Sequence, residues 1–244
     1  MNVLMIYAHP APHSLNSALR DYAVLHLQDA GHAVTVSDLY AMQWQPSLQA
    51  GEVAEVAGNE VLAEQEKLLW ADVVIFQFPL WWFSMPAIMK GWVERVYTYG
   101  FGYGVGEHSE RRWGDRYGEG TLAGKRAMLM VTAGGWEPHY SPRGVNGAID
   151  ELLFPIHHGI LYYPGMQVLP PFLVYRADRM NEERFAEVRA RLGQRLDTLA
   201  TAAPIPYRLQ NGGDYEIPSM ILKPELAPGV TGFAAHLDQP PSLL

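Results

Sequence analysis

Apolar and polar positions fall into two alternating kinds of block along this chain. Residues 3–8 form an unbroken apolar run, as do Val73, Val74, Ile75 and Phe76, and then residues 127–131. Such runs are the mark of strands buried on both faces. Between them the period lengthens to that of a helix. One apolar stripe carries Leu15, Ala18, Leu19, Tyr22 and Ala23 and stops at Gly31, and another carries Ile88, Met89, Trp92, Val93 and Val96 behind Pro86. A third, near the end, carries Phe185, Val188, Leu192, Leu196 and Leu199. Val34 and Val36 with Leu39 predict a further strand, residues 147–158 a weaker helix, and residues 166–175 a fifth strand. That last region contains the strand despite Pro170 and Pro171, which suit a sheet edge or a strand end. No element is predicted between Leu39 and Asp72. Strands spaced by helices imply an α/β fold whose parallel sheet is covered on both faces.

Two regions leave this rhythm. Residues 99–120 hold seven glycines with Arg111, Arg112, Trp113 and Arg116, too irregular for a core element and suited to a functional loop. The final 44 residues hold seven of the 18 prolines and predict an extended tail lying on the surface or on a partner. The expected division is a catalytic domain over residues 1–203 and a tail over 204–244.

Composition removes several classes of function. The net charge of −8 disfavours nucleic acid, whose phosphates an acidic surface repels. With no cysteine, thiolate metal sites, iron–sulfur clusters, disulfides and thiol nucleophiles are all unavailable. No apolar stretch has the length of a membrane span, so no stable membrane insertion is expected, and the cytoplasm is the expected location.

In open parallel sheets, ligands bind beyond the carboxyl ends of the strands, so the turns after Ala8, Phe78 and Val131 carry the candidates. The first holds His9, His13, Ser14, Leu15 and Asn16 and runs into a helix, whose N-terminus either holds a phosphate or is simply capped by Ser14 or Asn16. Two prolines between His9 and His13 disallow a helical metal pair, and no metal is expected. The second turn holds Pro79, Leu80, Trp81, Trp82 and Phe83; aromatics on a short loop either suit a planar ligand stacked on them or, as for Phe83, turn into the core. The third, Thr132, Ala133, Gly134 and Gly135 with Tyr140 and Asn146 downstream, either lets backbone N–H groups approach a ligand or is a plain turn.

At these residues the sequence resembles the NAD(P)H:quinone oxidoreductases of the DT-diaphorase type, including bacterial members described as modulators of drug activity. The resemblance spans residues 3–200 and rests on the three turns together with residues 37–42, 90–96 and 159–169. It implies a flavodoxin-like, doubly wound five-stranded parallel sheet and a homodimer with active sites at its interface. It implies FAD over FMN, NAD(P)H as co-substrate, and ping-pong two-electron reduction of small quinones through flavin N5. FAD would contact His9, His13, Ser14, Leu15, Asn16, Pro79, Leu80, Trp81, Trp82, Phe83, Thr132, Ala133, Gly134, Gly135 and Tyr140, with Arg184 near its adenine. Tyr140, Asn146, Gly134 and Gly135 would act in catalysis. Trp82, Phe83, Phe101, Tyr103 and Tyr163 would line the acceptor site, Phe101 and Tyr103 reaching it from the partner.

The chain departs from that pattern in places. Asn146 stands where the family has a histidine; it can donate a hydrogen bond but hold no positive charge, which predicts a flatter pH dependence. Trp81 replaces a family glutamine. The short segment between Asp38 and Glu64 leaves FMN open, and a metal site of some relatives has no cysteine to support it. Two other functions fit the same resemblance. One is a flavin-binding regulatory subunit of a glutathione-gated potassium-efflux system; the other is an FMN azo- or nitroreductase.

Overall fold

The computed structural model describes residues 1–53 and 58–238. The chain opens with β1 (Asn2–Tyr7), α1 (Leu15–Asp29) and β2 (Ala33–Asp38), then α2 (Asn59–Trp70), β3 (Val73–Pro79) and α3 (Ala87–Val96). A small hairpin of β4 (His108–Ser109) and β5 (Arg112–Trp113) follows, then β6 (Arg126–Thr132) and α4 (Ile149–Ile156), which continues as a π-helical stretch, His157–Tyr162. Next come β7 (Gln167–Val168), β8 (Phe172–Val174) and α5 (Glu182–Asp197), and in the tail the hairpin β9 (Tyr215–Glu216) and β10 (Ile221–Leu222).

The main sheet runs β2-β1-β3-β6-β7, all parallel, with β8 also pairing β6. This is the flavodoxin-like winding, whose switch point lies between β1 and β3. Alternation along the strands divides the core. Val3, Met5, Val73 and Ile75 face α1 and α5, while Leu4, Ile6, Val74 and Phe76 face α2, α3 and α4. Because both faces are covered, β3 is buried at every position, which explains its unbroken apolar run.

Two elements add to the pattern read from the sequence. The fifth strand is split, since Pro170 and Pro171 have no N–H to give the ladder; β7 ends before them and β8 resumes after them on the same neighbour, β6. The helix α2 has no predicted counterpart because its buried face is partly polar. Glu64 and Gln65 are buried there: Glu64 accepts from Trp92 Nε1 at 2.9 Å, and Gln65 Nε2 donates to the Val96 carbonyl at 2.8 Å. A satisfied polar network broke the apolar period while keeping the helix packed.

The tail is bound to the body along much of its length. The Ile205 N–H donates to the Val168 carbonyl at 2.7 Å, and Arg116 Nε donates to Gln210 Oε1 at 2.7 Å, tying it to the glycine-rich loop. Residues 239–244 of the expected tail lie outside the described residues.

Candidate functional site

Beyond β3, residues 81–84 form a tight turn, closed by Trp81 N–H to the Ser84 carbonyl and Ser84 N–H to the Trp81 carbonyl, each at 3.1 Å. Its two central residues, Trp82 and Phe83, both have positive φ, 50° and 62°. Hairpin turns of this hand usually take Asn-Gly, because a Cβ in the left-handed region costs about 1–2 kcal/mol per residue. Here two bulky aromatics occupy those positions, and Trp82 is 95% exposed. Strain and exposure together make the turn a candidate ligand-binding surface. Trp81, half-turned to solvent, lies 5.8 Å from the His9 ring and so joins the first and second loops across the switch point.

The loop after β6 supplies donors. The backbone N–H groups of Gly134, Gly135 and Trp136 have no partner among the described residues. A Cβ on Gly134 would meet nothing within 4 Å, whereas one on Gly135 would sit 2.8 Å from the Tyr140 ring. Gly134 therefore borders open space, and Gly135 must stay glycine for buried Tyr140 to lie against the loop. Ala133 is pinned behind them, its N–H on the Val174 carbonyl at 2.8 Å.

At the first loop Ser14 caps α1 in a reciprocal pair with Ser17, so the capping alternative is realised. The N–H groups of Leu15 and Asn16 remain without partners among the described residues, and they keep the anion-binding character of a helix start. The buried Asn16 side chain donates to Thr132 Oγ1 at 3.0 Å, while the Asn16 backbone carbonyl accepts from Gln77 Nε2 at 2.6 Å. This bond set clamps the loops after β1 and β6 to β3. Pro79 and Thr132 are register partners, and the Leu80 N–H donates to the Thr132 carbonyl at 2.8 Å.

From His13 and Ser14 a shallow groove of about 640 Å³ runs past Asp21 to Asn181 and Phe185, between the N-terminal ends of α1 and α5. Arg184, expected near an adenine, turns its guanidinium to the backbone: Nη1 donates to the Arg176 carbonyl at 2.8 Å and Nη2 to that of Tyr175 at 2.5 Å. It fixes the turn between β8 and α5.

The remaining expected residues divide. Asn146 is half-buried, with its backbone N–H on the His139 carbonyl at 2.9 Å and its amide without a partner among the described residues. Tyr163 is half-buried against Tyr117, ring centroids 4.9 Å apart. Phe101 is a correction: it is 8% exposed within the core, and its ring is not available to a partner chain. The exposed aromatic surface belongs instead to Tyr103 and to Tyr99, which is 75% exposed and meets Tyr103 edge to face at 5.7 Å. The glycine pattern of that loop gave no signal for Tyr99. The pair Trp136 and Arg176 was also missed. Arg176, left-handed at φ 49°, stacks its guanidinium 4.1 Å from the Trp136 ring beside the open N–H groups. No sequence pattern joins two residues that far apart.

Aromatic platform, open N–H row and helix start fit a flavin and its phosphate: a flat ring, an acceptor-rich pyrimidine edge and an anion. The fold and this site define a flavodoxin-like protein, and the family model described as flavodoxin-like fold matches residues 1–196. Relatives narrow the class. A ribosyldihydronicotinamide dehydrogenase-like protein of Penicillium crustosum is 54% identical over 242 residues, covering 91% of this chain and 90% of its own. Human ribosyldihydronicotinamide dehydrogenase [quinone] is 37% identical over 225 residues, covering 84% and 94%. A crystal structure of a candidate quinone reductase from Klebsiella pneumoniae superposes with a TM-score of 0.95 at 60% identity, covering 97% of this chain and 99% of that one. The chain belongs to the NAD(P)H:quinone oxidoreductase family of flavodoxin-like oxidoreductases.

Proposed function

We propose that this protein is a FAD-dependent NAD(P)H:quinone oxidoreductase. The observation that carries the reading is the strained turn of residues 81–84, which presents Trp82 and Phe83 beside a row of unpaired N–H groups. Bound flavin would take hydride from NAD(P)H at N5 and pass the electron pair to a quinone, giving NAD(P)⁺ and, with one proton, the hydroquinone. The chain's own residues do the rest. Trp82 and Phe83 offer the stacking face. The N–H groups of Gly134, Gly135 and Trp136, with Tyr140 behind them, oppose negative charge on a pyrimidine edge without having to reorganise. Asn16, Thr132 and Gln77 keep that geometry rigid. Leu15 and Asn16 N–H groups receive a phosphate, and the groove leading to Asn181 gives an adenosine somewhere to lie, which supports FAD over FMN.

An acceptor and NAD(P)H would use the open face of the bound flavin in turn, which supports a ping-pong order. Exposed Tyr99 and Tyr103 support a homodimer in which a second copy roofs the cleft. Among the described residues no helix is long and apolar enough to cross a membrane, in keeping with small quinones reduced in the cytoplasm. The test is an absorption spectrum of the purified protein, chromatography of the released chromophore, and steady-state kinetics with NAD(P)H and menadione. FAD and parallel double-reciprocal lines are expected; a protein that no flavin reconstitutes would overturn the reading.

A further inference from the structure

The tail and the π-helical stretch border a second, half-open cavity of about 350 Å³. Phe154 on α4 and His158 on its π-helical continuation form one wall, and the tail lays Phe233 over them from the 3-10 turn Gly232–His236. The rings make a continuous pile. Phe233 is 4.1 Å from Phe154, Phe154 is 4.7 Å from His158, and His158 is 4.6 Å from Tyr117, all stacked.

A ring pile of this kind is usually sealed core, yet this one borders open volume large enough for a small ligand. Two polar groups on its wall also have capacity to spare. Arg208 uses Nε on the Ala235 carbonyl at 3.1 Å and Nη1 on Asp214 at 2.5 Å and Asp238 at 3.2 Å, leaving Nη2 without a partner among the described residues. His158 makes no hydrogen bond among them through either ring nitrogen, whereas nearby His236 is engaged by the Tyr215 hydroxyl at 2.9 Å. Burial, with His236 adding to it, pushes the His158 pKa down to about 4, so the imidazole is neutral and keeps an acceptor lone pair. Asp214 and Asp238 outnumber the Arg208 charge, so the wall does not invite an anion. A flat, uncharged ligand complements it. A hydroxyl on that ligand can donate to the imidazole and accept from Arg208 at once.

We propose that this cavity binds an uncharged planar aromatic bearing a hydroxyl group, such as a phenol or naphthol, its ring against the Phe154–His158 pile and its hydroxyl between His158 and Arg208. The proposal does not rest on the redox reading, and its test avoids turnover. The flavin-loaded protein is titrated calorimetrically with 2-naphthol, which NAD(P)H does not reduce, as wild type and as Met220→Trp, Phe233→Ala and Trp82→Ala. Met220 lines the cavity, so a tryptophan there fills it. Binding is expected to weaken about tenfold or more in Met220→Trp and Phe233→Ala, as loss of ring stacking and space predicts, and to persist in Trp82→Ala. Absence of binding to wild type overturns the proposal. So does binding that survives both cavity variants but disappears in Trp82→Ala, which would place naphthol at the sheet edge. Circular dichroism checks each fold; should Phe233→Ala fail to fold, Met220→Trp, which removes no packing, still decides.

Discussion

Two aromatic clusters of this molecule have opposite characters. At the carboxyl edge of the sheet, Trp82 stands 95% exposed on a turn whose backbone is strained, and no neighbouring ring among the described residues covers it. Beneath the tail, Phe154, His158 and Tyr117 stack on one another, and Phe233 of the tail forms the outer ring. Rings that find each other lower the free energy of the chain alone, and their packing adds to stability. A ring held out in a strained turn does the reverse, and is retained by what it does for something bound. The contrast teaches that exposure combined with backbone strain, more than aromatic content, separates a working surface from a structural one.

The contrast can be broken most sharply at Gly135. Replacing it with valine drives side-chain atoms into Tyr140 and shifts the N–H row, so kcat/KM for NAD(P)H–menadione turnover is expected to fall about 100-fold or more, the scale of losing an oxyanion-type donor. Near-normal turnover in Gly135→Val would mean that this loop is a plain turn after all.

The tail cluster has the next largest signature, and it lies in stability. His158 and His157 are both held neutral by burial, with pKa values pushed down to about 4 and about 3. The unfolded chain takes up protons on these residues near pH 6.5, and the folded chain does not until far lower pH. Stability is therefore complete above about pH 6.5 and falls as pH drops towards 4, with His158 contributing a loss on the order of 3 kcal/mol. Denaturation curves at pH 7 and pH 4.5 should show the loss, and His158→Phe should reduce it, leaving the part due to His157.

A smaller, two-sided effect is expected at the strained turn. Trp82→Gly relieves a left-handed Cβ and removes almost no internal contact, so the flavin-free protein should gain about 1 kcal/mol, seen as a rise of about 2–4 °C in Tm. Flavin affinity should fall about tenfold as the stacking face is lost. If stability fell and flavin affinity held, the assignment of strain to function at this turn would be wrong.

The smallest effect tests Asn146, which can donate a hydrogen bond but hold no positive charge. Wild-type kcat should be nearly flat between pH 5.5 and 8, a window in which only a histidine-like group would titrate, while Asn146→His should introduce a step near pH about 6.5. A step already present in the wild type would point to another titrating group in the cleft.

How much of this was legible beforehand follows from the range of the interactions. Strands β1, β3 and β6 and helices α1, α3 and α5 could be read from periodicity, because burial on a sheet or under a helix imprints a repeat on neighbouring positions. The three candidate turns could be singled out for a related reason: a parallel sheet puts its ligands at strand ends, where these loops carry glycine, aromatics and helix starts. The buried Glu64 and Gln65 hid α2, since their partners Trp92 and Val96 lie far along the chain. The same holds for the choice between Phe101 and Tyr99 as the exposed ring, for Arg184 turning to the backbone, and for Arg176 stacking on Trp136. The sequence by itself determined most of the strands and helices and which sheet edge carries the candidate turns, because those depend on local pattern. Only the tertiary structure decided the left-handed turn that raises Trp82, the clamp of Asn16 on Thr132 and the ring pile beneath the tail. Each of these is set by contacts between residues distant in sequence, and such contacts leave no period to read.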